Sequence, residues 1–220
     1  MKKLTPLFTL LLLSQLSFGQ LKFSEMRVNI GFGIQQYNGD LGNGFYDFSK
    51  TTYGVGVADI SIPINKSFDL MFMTTLGDLG YCQPEWKKEL FESNADEHNH
   101  VHGKKPEEEN LNSRMTSAML GVQYKFANNY LLKSYSKWAP YVYAAAGINR
   151  LTDFMKMECV DPGMYSTINW GAGCQYQLMP NCSVGLKFSF GSFNNDGLDF
   201  IRNSSRDMYM QNSFMLGFAI

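Results

Sequence analysis

The chain has 220 residues, with 19 basic and 20 acidic side chains, a formal net charge of -1 and 15% aromatic residues. After residue 19 no run of 18 apolar residues occurs, which excludes membrane-spanning helices. The sequence contains no basic stripe and no motif that binds nucleic acid, so nucleic acid is not expected as a partner.

The N-terminus has the pattern of a secretory signal peptide. Two lysines precede an apolar run, Leu4–Leu16, and Ser17 and Gly19 supply small residues at the two positions that a signal peptidase recognises. The sequence therefore predicts a signal peptide over residues 1–19 and a mature chain that begins at Gln20.

Three segments after the signal peptide alternate apolar residues with Gly, Asn, Gln or Ser and carry almost no charge: Val28–Gln35, Ile168–Tyr176 and Val184–Gly191. A period of two predicts strands with one apolar face and one small or polar face. This pattern favours a closed barrel with lipid outside and a narrow polar lumen. In the first segment, Val28, Ile30, Phe32 and Ile34 are expected to meet lipid, and Asn29, Gly31, Gly33 and Gln35 the lumen.

The same alternation predicts eight strands in residues 20–220: Arg27–Tyr37, Thr52–Ile62, Phe68–Tyr81, Arg114–Phe126, Ala139–Arg150, Thr167–Leu178, Cys182–Phe193 and Met208–Ile220. The connections are longer after odd strands and shorter after even strands, which is typical of outer-membrane barrels. We therefore predict one domain, an all-β, eight-stranded antiparallel transmembrane β-barrel with periplasmic N- and C-termini. The last strand must pair with the first to leave no open edge in lipid.

Five charged residues fall on the predicted lumen face: Arg27, Asp59, Asp69, Lys125 and Lys187. Charges buried in a narrow barrel must be paired. Since side chains fill the interior of an eight-stranded barrel, the expectation is a salt-bridged plug and no conducting pore.

The sequence has four cysteines. Cys82 and Cys159 fall in predicted loops at the same end of the barrel and could form a disulfide; the alternative is that all four are free thiols. Cys174 and Cys182 should not form a disulfide, because hairpin pairing places Cys182 opposite about residue 178.

All three histidines lie in the predicted loop after strand three, at His98, His100 and His102. In an extended backbone they would share one side and could bind Zn²⁺, Cu²⁺ or Ni²⁺. The alternative is a solvated polar loop without metal. Because no histidine lies in a strand, a Ser–His pair cannot form at the membrane boundary. We therefore expect no enzymatic activity and no cofactor.

Several segments resemble one known family. Gly33–Gly44, Asn65–Leu70, Ala139–Gly147, Trp170–Gly173 and Met210–Phe214 resemble the barrel of OmpA-family proteins of Bacteroidetes. Many members continue into a domain that binds peptidoglycan, whereas this sequence stops at the barrel. The resemblance therefore does not support a role in tethering the cell wall.

The resemblance implies a non-enzymatic protein of the bacterial outer membrane, with a structural or surface-interaction role through its extracellular loops. Its implied partners are outer-membrane lipid, the barrel assembly machinery during biogenesis, and envelope or secretion-system proteins. The motif Tyr37–Leu41 is also similar to a barrel family of the type IX secretion and gliding apparatus, so an accessory role there is an alternative. A small-solute porin is a third possibility.

Overall fold

The structure, a computed structural model, describes residues 21–38, 52–81, 111–133, 136–153, 163–194 and 207–220. These residues form eight strands: β1 (Arg27–Asn38), β2 (Tyr53–Pro63), β3 (Phe68–Tyr81), β4 (Leu111–Lys125), β5 (Trp138–Asp153), β6 (Gly163–Met179), β7 (Cys182–Phe193) and β8 (Met208–Ala219). A short 3₁₀ helix, Phe23–Glu25, precedes β1. The helical residues that the structure describes form no segment with the length and apolar character of a membrane span.

The eight strands close into a barrel in which each strand pairs antiparallel with its chain neighbours. The closing pair, β1 with β8, runs from Arg27 opposite Ala219 to Asn38 opposite Met208. Closure leaves no unpaired sheet edge, as a strand structure in lipid requires. The predicted fold class, an eight-stranded antiparallel barrel, is confirmed; the periplasmic orientation of its termini stays a prediction.

The strand registers fix the width of the barrel. Following directly opposite residues from Val28 on β1 once around the barrel leads to Asn38, a shear of 10 residues. With standard strand spacings this shear gives a strand tilt of about 40° and a backbone radius of about 8 Å. Such a cylinder has room for side chains in its interior but not for a wide channel.

The two faces of each strand point as the alternation predicts. On β1, Phe32 is 71% exposed on the outside, whereas Asn29 and Gln35 are buried inside. On β4 and β6, Leu120 and Ile168 are also more than half exposed on the outside. The outer surface is therefore mostly apolar, and most polar side chains of these strands face the lumen; Arg114 and Thr116 on β4 are exceptions at the loop end.

Two short turns are held by asparagine side chains. The Asn65 side chain accepts hydrogen bonds from the backbone amides of Ser67 and Phe68, both at 2.8 Å. After β4, the Asn128 side chain accepts hydrogen bonds from the backbone amides two and three residues further along the chain, and Asn129 adopts a positive φ of 71°. Such asparagine turns define where one strand ends and the next begins. We call the end of the barrel with residues 64–67, 126–137 and 180–181 the turn end, and the opposite end the loop end.

The observed strand boundaries differ most from the predicted ones at the loop end of the barrel. β4 begins three residues before the predicted Arg114, β5 continues to Asp153, and β6 begins at Gly163. Backbone pairing continues there although the apolar alternation has stopped, because ladder hydrogen bonds need no apolar face. One consequence is that residues 126–137 after β4 outnumber residues 154–162 after β5. The predicted alternation of connection lengths thus fails for this pair.

The cysteines that the structure describes are both free. Cys182 lies opposite Met179, one residue beyond the expected position 178 because the register shifts near the turn, whereas Cys174 lies opposite Leu186. The prediction that Cys174 and Cys182 do not form a disulfide is confirmed.

Candidate functional site

The sites predicted in the loops fall on residues without a described structure. His98, His100 and His102, the candidate metal ligands, and Cys82 and Cys159, the candidate disulfide, lie outside the described ranges. Within those ranges, no group of three His, Cys, Asp or Glu side chains is placed to hold a metal ion. The site that the structure does describe is the barrel lumen.

A buried ion pair crosses the middle of the lumen. Lys187 Nζ on β7 lies 2.9 Å from Asp59 Oδ2 on β2, and both side chains are less than 5% exposed. The lysine also lies 4.7 Å from the centre of the Tyr143 ring and 3.1 Å from Met73 Sδ. Because β2 and β7 are separated by β1 and β8, this ion pair connects strands that share no backbone hydrogen bond.

The ion pair is part of a longer chain of hydrogen bonds. Asn29 donates to the second oxygen of Asp59 at 2.5 Å, and Gln175 donates to the Asn29 side-chain oxygen at 3.0 Å. Arg27 Nη1 in turn donates to Gln175 Oε1 at 2.8 Å. This chain satisfies groups that would be costly to bury alone. The predicted pairing of lumen charges is confirmed for Asp59 and Lys187, and Arg27 joins the same network.

A second ion pair lies near the turn end, where Lys125 Nζ is 2.5 Å from Asp69 Oδ1. It borders an open vestibule of about 440 Å³. The walls of this vestibule are mostly polar: Ser24, Glu25, Arg27, Ser61, Pro63, Asp69, Gln123, Lys125, Ala139, Tyr141, Gln175, Asn181, Ala219 and Ile220. The vestibule opens at the turn end, and Arg27 and Gln175 of the polar chain are among the residues that line it.

The loop end of the lumen is filled by large apolar side chains. Phe193 and Tyr209 are 0% exposed and their ring centres lie 5.2 Å apart, and Tyr165 meets Phe193 edge-on at 6.4 Å. Leu79 and Leu151 are buried in the same cluster. Together with the central ion pair, this layer closes the lumen, and the predicted packing of the interior is confirmed.

The lumen is less polar than predicted. Five methionines face inward with 2% exposure or less: Met71, Met73, Met115, Met119 and Met215. The expectation of a narrow polar lumen is therefore wrong at the inward methionine positions, four of which lie on β3 and β4. In β3 the sequence does indicate apolar residues inside the barrel, because Leu70–Met73 is apolar at consecutive positions and therefore supplies both faces of the strand. Flexible methionine side chains fill irregular interior gaps, which suits a packed plug.

Inward glycines on β6 and β7 make room for tyrosine rings. Tyr141 lies directly opposite Gly173, and Tyr209 directly opposite Gly191. A Cβ atom added at Gly191 would overlap the ring of Tyr209. The hydroxyl of that ring accepts a hydrogen bond from Asn169 at 3.3 Å, and it cannot move aside without breaking this contact.

Replacement of Gly191 by alanine is expected to lower the free energy of unfolding by about 1–3 kcal/mol, the usual cost of overpacking a full core. Gly54→Ala is the matched control, because a Cβ atom at Gly54 meets nothing within 4 Å. This control should be neutral or slightly stabilising, since alanine loses less backbone entropy on folding. Urea unfolding of both variants in lipid vesicles measures the difference, and equal stabilities would contradict the packing role of Gly191.

The polar side chains described in the lumen are not arranged as a nucleophile with a general base. The described residues include no histidine, and Cys174 and Cys182 lie on the outer face. Ser189, a buried hydroxyl of the lumen, donates to Gln211 at 3.3 Å and not to a general base. Within the described residues, therefore, no serine or cysteine is paired with a base as nucleophilic catalysis requires.

Comparison with known proteins identifies the fold class. No family model matches the chain, and no curated protein matches it in sequence. Among solved structures, Neisserial surface protein A matches with a TM-score of 0.54 and 13% identity over 89% of this chain and 97% of that chain. Ail of Yersinia pestis, solved with the heparin analogue sucrose octasulfate, matches with a TM-score of 0.49 and 12% identity over 89% of this chain and 98% of that chain. The outer membrane protein OprG of Pseudomonas aeruginosa matches with a TM-score of 0.48 and 9% identity over 89% of this chain and 96% of that chain.

At these identities the likeness is one of fold. The TM-score with the Neisserial protein shows that this chain has the architecture of a small outer-membrane β-barrel. The eight-stranded closure and the apolar outer face, both seen in the structure itself, are features of that architecture.

Proposed function

We propose that this protein is a non-enzymatic β-barrel of the bacterial outer membrane that acts through its long connections at the cell surface. The observation that carries the proposal is the combination of an apolar outer face with a closed lumen. The outer face needs lipid, and the closed lumen leaves the connections as the parts able to meet partners. Export by a signal peptide over residues 1–19, and a mature barrel over 20–220, belong to the same proposal.

The height of the apolar outer face supports placement in a membrane. On β4 the outward positions run from Tyr124 at the turn end to Arg114 at the loop end. At the tilt derived above, the ten residue steps from Tyr124 to Arg114 span about 25 Å along the barrel axis, the height of the apolar band of outer-membrane barrels, with the polar Thr116 and Arg114 at its loop-end limit. Aromatic pairs lie at the turn end of this band, with ring centres 5.2 Å apart for Phe68 and Tyr124 and 4.8 Å for Trp138 and Tyr176.

The proposed orientation places the turn end in the periplasm and the loop end outside the cell. Turns of few residues, such as 64–67 and 180–181, suit the periplasmic side, and the longest connection, 82–110, suits the surface. The His98–His102 segment belongs to that connection, so metal or partner binding there would take place at the surface.

Cell fractionation tests both placement and orientation. The protein should require detergent for extraction from the outer-membrane fraction and should migrate faster on gels before boiling than after it. Protease added to intact cells should cleave within residues 82–110 and spare 64–67 and 180–181. A protein that stays soluble without detergent would contradict the membrane placement, and cleavage at the short turns in intact cells would contradict the orientation.

Conductance distinguishes the proposed role from that of a small-solute porin. We expect planar bilayers that contain the protein to stay at background conductance, because the Asp59–Lys187 layer and the Phe193–Tyr209 layer both block the lumen. An established porin inserted under the same conditions is the positive control. Stable current steps from the purified protein would favour the porin alternative.

An accessory role in a type IX secretion or gliding apparatus is the second alternative, and the resemblance of Tyr37–Leu41 supports it. Mild detergent extraction followed by affinity purification would reveal stoichiometric translocon subunits if this alternative holds. Recovery of the barrel alone would favour an independent surface role.

A further inference from the structure

On the part of the outer face that the structure describes, charged strand side chains lie in one place. Among the described strand side chains, three charged groups face outward: Asp78 on β3, Arg114 on β4 and Arg150 on β5. These three strands are adjacent, and all three residues lie at the loop end of their strand. One acid and two bases give this cluster a formal charge of +1, on a described outer face that is otherwise uncharged.

The register brings the two arginines together. Arg114 lies opposite Thr152, and Thr116 lies opposite Arg150, so the arginines are diagonal neighbours with Cα atoms about 7–8 Å apart. Side chains of this length can reach a common group from such a spacing. Asp78 Oδ1 lies 3.3 Å from Arg114 Nε on the neighbouring strand, and the exposed Thr116 lies directly opposite Arg150 and adds a hydroxyl beside the two arginines.

The position of the cluster along the barrel points to a lipid headgroup. Arg114 lies about 25 Å from Tyr124 along the axis, at the outer limit of the apolar band. Leu120, Ile148 and Ile168 lie nearer the middle of the same face and are between 48% and 58% exposed. The cluster therefore combines cationic groups at headgroup level with hydrocarbon surface directly below.

We propose that Arg114 and Arg150 form a binding site for the phosphate groups of a lipid in the outer leaflet, whose acyl chains lie against Leu120, Ile148 and Ile168. Guanidinium groups suit this role because their planar forks donate paired hydrogen bonds to phosphate oxygens. This inference rests on the membrane placement proposed above. It adds a lipid-recognition site on the barrel wall, separate from the surface connections.

The test compares two lipid probes in phosphatidylcholine nanodiscs that contain the protein: lipid A with both phosphates, and the same lipid after dephosphorylation. Native mass spectrometry measures how much of each probe stays bound. We expect the wild-type protein to prefer the phosphorylated probe by about tenfold or more, the range given by charge-assisted hydrogen bonds. Arg150→Gln should lose most of this preference, and the double variant R114Q/R150Q all of it.

The controls separate charge, location and folding. Lys66→Gln removes a cation at the turn end and should keep the full preference, and Arg150→Lys should keep part of it because the charge remains. Fast migration before boiling verifies that each variant is folded. Since Asp78 contacts Arg114 and not Arg150 in the described structure, Arg150→Gln disturbs no described ion pair.

Three results would overturn the lipid site. Equal binding of both probes by an inserted, folded wild-type protein would refute it and leave the membrane placement intact, whereas failure to insert at all would refute the placement as well. Displacement of the lipid by millimolar inorganic phosphate would show that free phosphate, and not a lipid headgroup, is the ligand.

Discussion

Replacement of Lys187 by methionine is expected to lower the free energy of unfolding by about 3–5 kcal/mol, the usual cost of leaving one partner of a buried ion pair unpaired. The substitution removes the cation 2.9 Å from Asp59 and leaves that carboxylate with the hydrogen bond from Asn29. It also removes the contact with the Tyr143 ring. Urea unfolding in lipid vesicles, followed by tryptophan fluorescence, measures the loss.

A double variant distinguishes loss of the ion pair from loss of packing. In D59N/K187M no charge of this pair remains to be buried, and the amide introduced at position 59 keeps an oxygen that can accept from Asn29. This variant should be more stable than K187M by about 2 kcal/mol or more. The exposed pair of Lys22 and Glu25 is the matched control, since K22M should change stability by less than about 1 kcal/mol. If K187M cost no more than K22M, the central ion pair would not stabilise the barrel.

The strands themselves could be predicted from the sequence because the apolar alternation is strong. The predicted bounds of β3 and β7, Phe68–Tyr81 and Cys182–Phe193, are those of the structure. The predicted bounds of β4 to β6 are too short at the loop end, where polar residues continue the hydrogen-bonded ladder. The apolar alternation arises because one face of each strand meets lipid, so it cannot predict how far a strand continues beyond the membrane.

The lumen could be predicted in kind but not in detail. The alternation places Asp59, Lys187 and Arg27 inside the barrel, yet it does not reveal which charges meet. Lys187 reaches Asp59 across two intervening strands, and this pairing depends on the shear of the closed barrel. The inward methionines, such as Met73, escape prediction because β3 is apolar on both faces and period two then cannot separate inside from outside.

The two outward arginines, Arg114 and Arg150, show that a surface site depends on how neighbouring strands pair. Arg114 shares its face with Leu120 and Val122, so the alternation of β4 already places it on the lipid side. Its neighbour Arg150 becomes part of the same cluster only through the pairing of β4 with β5. A surface site on a barrel is thus defined by register, which the sequence alone does not supply.

Replacement of Phe193 by alanine is expected to lower the free energy of unfolding by about 3–5 kcal/mol, because the site cannot collapse around the cavity. The ring is 0% exposed and packs against Tyr209 at 5.2 Å and Tyr165 at 6.4 Å. Phe188→Ala on the same strand is the matched control. Phe188 is 44% exposed on the outer face, where lipid chains can fill the vacated space.

The difference between these two variants isolates the cavity, because both lose the same ring and therefore the same transfer free energy. F193A should be the less stable by about 1–2 kcal/mol, and equal losses would show that the loop-end layer is not tightly packed. F193A should also remain at background conductance, because the Asp59–Lys187 layer still closes the lumen. The two layers are thus independent barriers, and opening a path for ions requires changes in both.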